Sequence, residues 1–327
     1  MAPSQNRKTF LTGASGRLGH AVLTKLGGRM VPVVPLVRSL DKLPPGTVHG
    51  QVTDFSSGQL GRILQNAGTV IHIAGSVDTL DESGMREANV ELTRRIVEAT
   101  PEDCRIIFAS SISVYGKKPA ESPAVESTPT NPDSSYARSK YEAERLVSIR
   151  PNNIILRIGT IYGPGFEDYF RVLRLIEQGK MRIIGDGNNR IPFVHVDDVA
   201  DAFVNAITRV PGPTSKQPEG TYLLAGDPLT QNEIYSIAAK AFGVPPPSAR
   251  VGLRTALLMA SWQAFRYRHL GGKKPWLTGE HIDILGYDRI FDCGRARGEL
   301  GFSPRPLADG IRAMVEEYKR RKATSPS

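Results

Sequence analysis

The first half of the chain alternates short apolar runs with longer segments of helical periodicity. This alternation is typical of strands and helices that build a parallel α/β sheet. The apolar runs predict strands at residues 9–12, 31–37, 47–52, 69–74, 105–110 and 153–158. The intervening patterns predict helices at residues 18–26, 87–99 and 134–148. We therefore expect an α/β fold with a doubly wound parallel sheet.

The pattern changes after the turn Tyr162-Gly163-Pro164-Gly165, where helical patterns begin to dominate. Breaks rich in glycine, proline and polar residues interrupt them at 185–189, 211–220 and 244–248. We expect residues 1–165 to form a cofactor-binding domain built on the parallel sheet. We expect residues 166–322 to form a smaller mixed α/β substrate-binding lobe, which shares a strand or two with that sheet. Residues 323–327 are expected to form a frayed tail.

Composition describes an ordinary globular chain of 327 residues, with 40% hydrophobic and 23% charged residues. Only two cysteines are present, Cys104 and Cys293, and they have neither a disulfide framework nor metal-ligand spacing. The polar start of the chain lacks the apolar core of a secretory signal. These features predict no metal site and a reducing, cytoplasmic location.

The formal net charge of +9 raises the question of an acidic partner. The basic residues are scattered, and their densest run, Lys319–Lys322, lies near the C-terminal end. Such a distribution favours a solvated surface over a nucleic-acid interface, and it also suits an anionic cofactor or substrate. No apolar run is long enough to predict a membrane span.

A glycine-rich loop follows the first predicted strand directly and opens the first helix. It reads Gly13-Ala14-Ser15-Gly16-Arg17-Leu18-Gly19. Its glycines permit a tight turn, a close approach of the backbone to a pyrophosphate, and close helix–strand packing. The N–H groups and the dipole of the helix then attract negative charge. We expect a Rossmann dinucleotide site formed by Gly13, Ser15, Gly16, Arg17, Leu18 and Gly19.

The end of the second predicted strand discriminates between NAD and NADP. An acidic residue there binds the ribose 2′-hydroxyl, whereas arginine suits a 2′-phosphate. This chain has Val37-Arg38-Ser39, with no acid before Asp41. Arg38, helped by Arg17, therefore predicts that NADP is preferred over NAD, although both arginines could simply be exposed.

A tyrosine and a lysine lie one helical turn apart in Tyr136-Ala137-Arg138-Ser139-Lys140. A free phenol has a pKa of about 10, and a neighbouring ammonium should bring that pKa toward the working range. Ser111, directly after a strand, can hold a substrate oxygen beside Tyr136. Carbonyl reduction needs such a proton donor opposite an arriving hydride. We expect Ser111, Tyr136 and Lys140 to be catalytic, with Tyr136 and Lys140 also contacting the cofactor.

In this order the motifs resemble an extended short-chain dehydrogenase/reductase, the group also called the NAD-dependent epimerase/dehydratase family. The resemblance covers nearly the whole chain and includes residues 71–75, 110–116, 162–164 and 195–200. Residues 185–193 and 275–278 are most similar to the 3β-hydroxysteroid dehydrogenase and dihydroflavonol reductase branch.

The resemblance implies roles for further residues. Asn89 would support the active-site backbone, and Ala74 and Gly75 would lie along the cofactor. Gln51, followed by Val52, stands where the family has an aspartate that faces the adenine. His195 and Asp198 would anchor the substrate lobe. Members of the family often dimerise through the helix that carries the tyrosine, which implies a possible homodimer.

Departures from the family pattern bear on the substrate. Thr160 replaces the asparagine that binds the diphosphate of nucleotide sugars, and Ile112-Ser113 replaces the acidic pair of sugar dehydratases. Arg190 could still hold a nucleotide diphosphate. Ser113, Thr160 and Arg190 are therefore candidate substrate residues. The aromatic stretch 257–267 could line an apolar pocket, although core packing is favoured.

These observations predict an NAD(P)-dependent oxidoreductase that interconverts a secondary alcohol and a carbonyl of a small-molecule substrate. The alternative is a nucleotide-sugar epimerase that retains its NAD tightly. A third possibility, a non-enzymatic NADP(H) sensor, has no need for all of Ser111, Tyr136 and Lys140.

Overall fold

A computed structural model describes residues 7–47, 49–208, 220–275 and 277–324. Its strands are β1 (Lys8–Thr12), β2 (Val34–Val37), β3 (Gln51–Val52), β4 (Ala67–His72), β5 (Arg105–Ser111), β6 (Ile154–Ile158), β7 (Thr160–Tyr162), β8 (Ile183–Ile184), β9 (Arg190–Ile191), β10 (Phe193–His195), β11 (Gly220–Leu224), β12 (Leu229–Thr230) and β13 (Arg250–Val251).

The helices are α1 (Arg17–Gly28), α2 (Ser57–Leu64), α3 (Glu82–Arg86), α4 (Leu92–Ala99), α5 (Ser135–Ser148), α6 (Asp168–Glu177), α7 (Val196–Thr208), α8 (Gln231–Phe242), α9 (Leu253–His269), α10 (Gly279–Gly286) and α11 (Leu307–Thr324). A π-helical segment, Glu87–Glu91, joins α3 to α4, and another covers Ala296–Leu300. None of the helices described here is both long and apolar enough to cross a membrane.

Seven parallel strands form the central sheet in the order β11-β6-β5-β4-β1-β2-β3. The middle strands are apolar on both faces because helices cover both sides, as in Val70, Ile71, Ile107 and Phe108, which are fully buried. The predicted doubly wound Rossmann sheet is thus confirmed. The second strand is shorter than predicted, since extended pairing with β1 begins only at Val34, after Pro32.

The seventh strand comes from the second half of the chain. Strand β11 pairs in parallel with β6, from Gly220 opposite Ile154 to Leu224 opposite Ile158. Helix α7 packs on α1, where Asp201 forms ion pairs with Lys25 at 2.8 Å and Arg29 at 3.1 Å. One strand from the part of the chain after residue 165 therefore belongs to the central sheet, as expected, and helix α7 from the same part covers that sheet together with α1.

A second apolar core lies among α6, α8 and α11 and contains Leu173, Ile176, Tyr235 and Val315. A smaller cluster between α9 and α10 contains Ala256, Ala260 and Ile282. Together these helices form the second lobe, which lies over the carboxyl ends of the central strands. Helix α11 continues to Thr324, into the expected tail, and residues 325–327 lie outside the described part of the chain.

Arg305 ties this lobe to the sheet layer. Its guanidinium and backbone N–H donate to the buried Asp198 carboxylate at 2.8 to 3.2 Å. The His195 ring packs edge-on against Tyr162, with centroids 5.2 Å apart. His195 and Asp198 therefore lie at the junction, in line with their expected anchoring role.

Candidate active site

A cavity of about 990 Å³ opens at the carboxyl ends of the central strands, between the sheet and the second lobe. The sheet contributes the glycine loop and the segments that follow β2, β4, β5 and β6. Ligands of doubly wound sheets bind at this edge, because strand ends and helix N-termini meet there. Among the predicted site residues, those that line the cavity are Gly13, Ser15, Gly16, Arg17, Leu18, Gly19, Arg38, Ala74, Gly75, Asn89, Ser111, Ser113, Tyr136, Lys140 and Thr160.

The glycine loop has the geometry that a pyrophosphate requires. Gly13 has a positive φ of +76°, and a Cβ there would meet the Ala74 backbone nitrogen at 2.5 Å. A Cβ on Gly19 would collide with the Gly13 carbonyl. Helix α1 begins without a side-chain cap and without an acidic residue in its first turn. Its terminal N–H groups therefore suit an anionic ligand, and the residues present fit a dinucleotide.

Basic side chains surround the end of β2. Arg38 is exposed and lies against Phe55, with its guanidinium carbon 6.0 Å from the ring centroid. Lys42, which the sequence reasoning missed, also lines this end of the cavity. The acidic neighbour Asp41 accepts a hydrogen bond from Ser39. The local charge is thus positive where a 2′-phosphate would lie.

Arg17 has a partner that sequence alone could not reveal. Its guanidinium forms a 2.6 Å ion pair with Asp168 of α6 and lies over the Phe166 ring. The pair joins the glycine loop to the second lobe at the mouth of the cavity. Arg17 is therefore exposed but already paired, rather than a free second phosphate ligand.

Gln51 and Val52 are not brought to this cavity. Both are exposed on the short strand β3 and line a separate surface groove beside Arg62. The wall at the expected adenine end is instead formed by Leu36, Val37 and Phe55.

Asn89 links the exit of β4 to the helix that carries Tyr136. Its side-chain amide accepts from the Ser76 N–H at 2.8 Å and donates to the Ser76 carbonyl at 2.9 Å. The same Nδ2 donates to Ser139 Oγ, which in turn donates to the Tyr136 carbonyl. A Cβ on Gly75 would approach Asn89 Oδ1 to 2.6 Å. The supporting role expected for Asn89 thus has a direct geometric basis.

A buried ion pair fixes the other side of α5. Arg157 on β6 donates to both carboxylate oxygens of Glu144, at distances of 2.8 to 3.3 Å. Ser110 donates to the same carboxylate at 2.5 Å. Since Ser110 precedes Ser111 and Glu144 lies one turn after Lys140, this network helps to fix the spacing between Ser111 and Lys140.

The electrostatics of Tyr136 differ from the sequence expectation. Burial, followed by the negative charge of Glu280, raises the pKa of Tyr136 to about 12, and a hydrogen bond with Ser111 opposes that shift. Burial lowers the pKa of Lys140 to about 8, with Glu144 acting in the opposite direction. Loss of hydration therefore outweighs the stabilisation of the phenolate that we expected from Lys140. The phenol is protonated at neutral pH.

His72, in the middle of an apolar strand, is a further residue that sequence reasoning missed. Burial, with the charge of Lys140 adding to it, lowers the pKa of His72 to about 3, so the ring is neutral. Thr93 donates to the Asn89 carbonyl at 2.6 Å, which leaves its oxygen to accept from His72 Nε2 at 2.9 Å. Nδ1 then accepts from Thr12 at 2.7 Å. This chain of hydrogen bonds connects β1, β4 and the Asn89 segment.

The wall contributed by the second lobe is largely apolar. It includes Leu173, Ile176, Ile184, Ile234, Tyr235, Leu277, Ile284 and Ile311. Polar exceptions are Asp168, Gln231, Thr278, Glu280, His281 and Arg289. Glu280 and Arg289 come from a part of the sequence without a recognisable motif, so only the fold could bring them to the site.

Ser113 and Thr160 line the cavity, and the Ser113 N–H donates to Ser111 Oγ at 3.1 Å. Arg190, the third candidate substrate residue, is exposed and does not line the cavity. Its backbone N–H donates to Asp288, and its carbonyl accepts from the Arg289 N–H. Among the described residues of the second lobe, the arginine that lines the cavity is Arg289.

The aromatic stretch 257–267 forms neither a pocket wall nor core at its aromatic positions. Trp262 is 57% exposed and Phe265 is 47% exposed, and neither lines the cavity. Both interpretations of the stretch are therefore wrong for these residues. The core contacts of α9 are made instead by Ala256 and Ala260. In the motif 275–278, Trp276 lies outside the described residues.

Across the described ranges, no group of three or more histidine, cysteine, aspartate or glutamate side chains could hold a metal ion.

Comparisons with known proteins show the family to which the chain belongs. The sequence profile of the NAD dependent epimerase/dehydratase family matches residues 9–224, which include every predicted catalytic residue. The chain is 28% identical to "3beta-hydroxysteroid-dehydrogenase/decarboxylase isoform 1" of Arabidopsis thaliana over 81% of its own length. It spans only 65% of that relative.

Other relatives match over nearly their whole length. Identity is 26% to "Short-chain dehydrogenase/reductase family 42E member 1" of Xenopus laevis, covering 98% of this chain and 90% of that one. It is also 26% to "2-alkyl-3-oxoalkanoate reductase" of Stenotrophomonas maltophilia (strain K279a), covering 94% of this chain and 98% of the relative.

Solved structures show the same architecture. The crystal structure of gox2253 has a TM-score of 0.75 at 26% identity, covering 98% of this chain and 100% of that one. MoeE5 in complex with UDP-glucose and NAD has a TM-score of 0.73 at 27% identity, covering 97% and 100%. With more than half of its length matched by the family profile, the chain belongs to the NAD dependent epimerase/dehydratase family, and it is an enzyme of the extended short-chain dehydrogenase/reductase type.

Proposed function

We propose that this enzyme interconverts a secondary alcohol and a carbonyl on an apolar small molecule, with NADP preferred as its cofactor. The observation that carries the proposal is the meeting of Ser111, Tyr136 and Lys140 in one cavity whose opposite wall is apolar. When bound, a nicotinamide cofactor would supply or accept the hydride. The side chains of the protein orient the substrate oxygen and exchange its proton.

In the reducing direction, the Ser111 hydroxyl holds the carbonyl oxygen beside Tyr136. The phenol donates its proton to that oxygen as the hydride arrives at the carbon. Because the pKa of Tyr136 is about 12 and that of Lys140 about 8, the ammonium can return a proton to the phenolate. Because the pKa of the buried phenol is raised, Tyr136 is protonated at neutral pH, which is the form that can donate a proton during reduction.

The preference for NADP rests on the charges at the end of β2. Arg38 and Lys42 both line the cavity there, and the Asp41 carboxylate accepts a hydrogen bond from the Ser39 hydroxyl. A carboxylate that accepts a hydrogen bond from its neighbour is less available to a ribose hydroxyl. A 2′-phosphate would find two cations instead.

The apolar wall and the names of two relatives support the same substrate class. One relative is named for dehydrogenation of a hydroxysteroid and the other for reduction of an oxoalkanoate. Both names describe a hydroxyl or oxo group on a mainly hydrocarbon skeleton. The side chains Leu173, Ile176 and Ile234 provide a matching surface.

A nucleotide-sugar epimerase is the second candidate. It is favoured by the likeness to MoeE5, whose solved structure contains UDP-glucose and NAD. Arg190, which would have held the diphosphate, lies outside the cavity. The cavity wall therefore supports the oxidoreductase more strongly.

The deciding experiment identifies the nucleotide released when freshly purified enzyme is denatured, by mass spectrometry. We expect an empty site or exchangeable NADP(H), followed by reduction of apolar ketones with NADPH at higher kcat/KM than with NADH. Stoichiometric, tightly retained NAD together with turnover of UDP-sugars would replace this proposal with the epimerase.

A further inference from the structure

Arg289 is a buried arginine with unsatisfied donors at the wall of the cavity. Its side chain is 4% exposed and lines the same cavity as Tyr136. Within the described residues, its Nε and Nη2 atoms are buried and have no hydrogen-bond partner. Buried guanidinium donors without a hydrogen-bond partner are costly, so these two atoms in a native structure call for a ligand.

The acids nearest to Arg289 do not supply that ligand. Glu280, Asp133 and Asp283 act on Arg289 through charge alone, without a hydrogen bond. The Ser134 hydroxyl donates to Glu280 at 3.4 Å. Asp133 accepts from the Lys117 N–H at 3.1 Å, and Asp283 lies 3.9 Å from Lys117 Nζ.

The two unpaired atoms also have a specific geometry. Nε and Nη2 form one edge of the guanidinium, and this edge presents two parallel donors that match the two oxygens of a carboxylate. Of the described second-lobe residues that line the cavity, Arg289 is the one lysine or arginine. With Glu280 beside it, this single cation suits a monoanion better than a diphosphate.

We propose that Arg289 binds a carboxylate on the substrate while the carbonyl of the same molecule faces Ser111 and Tyr136. The substrate class is thus an oxo acid, or the matching hydroxy acid, with an aliphatic remainder that packs on the apolar wall. This assignment deepens the proposed function and rests on it. A phosphate monoester could offer similar oxygens, and the test separates the two.

The test compares 3-oxodecanoate with its methyl ester as substrates of the NADPH-loaded enzyme. In the wild type, kcat/KM should be at least about tenfold higher for the acid, through a lower KM. Arg289→Met should abolish this discrimination, and Arg289→Lys should restore part of it because it keeps the charge. Arg182→Met, which removes an exposed arginine elsewhere, is the matched control.

Equal preference for acid and ester in the wild type, or discrimination that survives in Arg289→Met, would overturn the proposal. Decanoate and decyl phosphate, used as competitive inhibitors, separate the anions: stronger inhibition by decyl phosphate would also overturn the assignment of a carboxylate. If the ester and the acid are both inert, the proposed function fails. Calorimetric binding of decanoate to wild type and Arg289→Lys, but not to Arg289→Met, would then still support the anion site.

A second, independent observation concerns the outer face of α9. Leu258, Met259, Trp262 and Phe265 are 72%, 55%, 57% and 47% exposed, and the Trp262 and Phe265 rings stack with centroids 5.8 Å apart. Leu258, Trp262 and Phe265 follow helical spacing, so they form one stripe opposite the buried alanines. An exposed apolar stripe of this size on a helix marks an interaction surface.

Basic residues accompany this stripe. Arg254, Arg266 and Arg268 lie on α9, Lys273 follows it, and no acidic residue occurs in 253–274. The combination of tryptophan, aliphatic side chains and flanking arginines suits a helix that lies in the headgroup region of an anionic bilayer. A second protein chain would need acidic residues to match, which the same face of another copy does not offer.

The position of α9 also fits an apolar substrate. Its inner face packs on α10, and α10 contributes Glu280, His281 and Ile284 to the cavity wall. A membrane that touches α9 would therefore lie next to the lobe that receives the substrate.

We infer that α9 binds the surface of anionic membranes without crossing them. The test is co-sedimentation with vesicles of phosphatidylcholine alone and with added phosphatidylglycerol. Binding should require the anionic lipid, weaken with salt, and fall at least about fivefold in the double variant Trp262→Ser/Phe265→Ser. Ile149→Ser, at another exposed apolar position, should bind like the wild type.

Absence of binding to anionic vesicles, or equal binding by the double variant, would overturn this inference. A salt-resistant dimer in light scattering that the double variant converts to monomers would overturn it too, since the stripe would then cover a second copy.

Discussion

The carboxylate of Glu144 and the guanidinium of Arg157 lie 2.8 Å apart, and both side chains are buried between α5 and β6. Tyr115 adds its hydroxyl to the same guanidinium, which donates to it at 2.6 Å. This pair holds the helix of Tyr136 and Lys140 against the strands that precede Ser111 and Thr160. The relative positions of Ser111, Tyr136 and Lys140 therefore depend on an ion pair that does not itself line the cavity.

Arg157→Met should lower the free energy of unfolding by about 3–5 kcal/mol, because it leaves the Glu144 carboxylate buried without its partner. The measurement is urea denaturation at neutral pH. Arg94→Met, which breaks a half-exposed pair with Glu91, should cost less than about 1 kcal/mol. Similar losses in both variants would contradict the structural role given to Arg157.

Tyr136→Phe should reduce turnover by about 10²–10⁴-fold, since it removes the proton donor while keeping the ring. Cofactor affinity, measured by fluorescence titration with NADPH, should change little. Tyr267→Phe, at an exposed position on α9, serves as the matched control. A Tyr136→Phe enzyme that kept most of its turnover would rule out the proposed mechanism.

The rate of reduction should depend on the protonation of Lys140. The pKa of this buried lysine is lowered to about 8, so the ammonium that returns a proton to Tyr136 is lost as pH rises through that value. We expect log kcat for reduction to be level below about pH 8 and to fall by about one per pH unit above it. The oxidation reaction should show the opposite trend. A reduction rate that stays level to about pH 10 would contradict this role.

His72 should make the protein less stable in acid. Its pKa is about 3 in the folded protein and 6.5 without burial. Below pH 6.5 the unfolded chain binds a proton that the folded protein does not. The free energy of unfolding should therefore fall by about 1.4 kcal/mol per pH unit as the pH drops from about 6.5 toward 3.

The measurement is urea denaturation of wild type and His72→Gln between about pH 6.5 and 5, where most carboxylates remain ionised. The variant should show a smaller slope even if it is less stable overall. Parallel slopes would mean that His72 is protonated in the folded protein.

Arg38→Asp should reverse the cofactor preference. It replaces a cation at the expected 2′-phosphate position with a carboxylate that suits a ribose hydroxyl. A charged hydrogen bond contributes about 1.5–3 kcal/mol, so the ratio of kcat/KM for NADPH over NADH should fall by roughly tenfold to a hundredfold. Arg62→Asp, at an exposed site away from the cavity, should leave the ratio unchanged.

Local sequence patterns were enough to predict most strands of the central sheet. An apolar run of strand length, such as residues 105–110, favours a buried strand whatever the rest of the chain packs against it. The glycines at 13 and 19 encode the turn because neighbouring backbone atoms leave no room there for a Cβ, whereas a Cβ at Gly16 would make only a tight 3.3 Å contact. Ser111, Tyr136 and Lys140 line one cavity, as the sequence predicted, because each is held by the strand or helix to which it belongs. Their catalytic roles remain a prediction.

Tertiary structure alone decided which distant side chains share the cavity and how strongly water is excluded from it. Arg289 rather than Arg190 reaches the cavity, although it is Arg190 that lies in a segment with a recognisable family pattern, residues 185–193. Burial and Glu280 raise the pKa of Tyr136, whereas the neighbouring lysine alone predicted a fall. Periodicity along the chain encodes which face of an element is apolar, but desolvation and long-range contacts depend on what packs against that face.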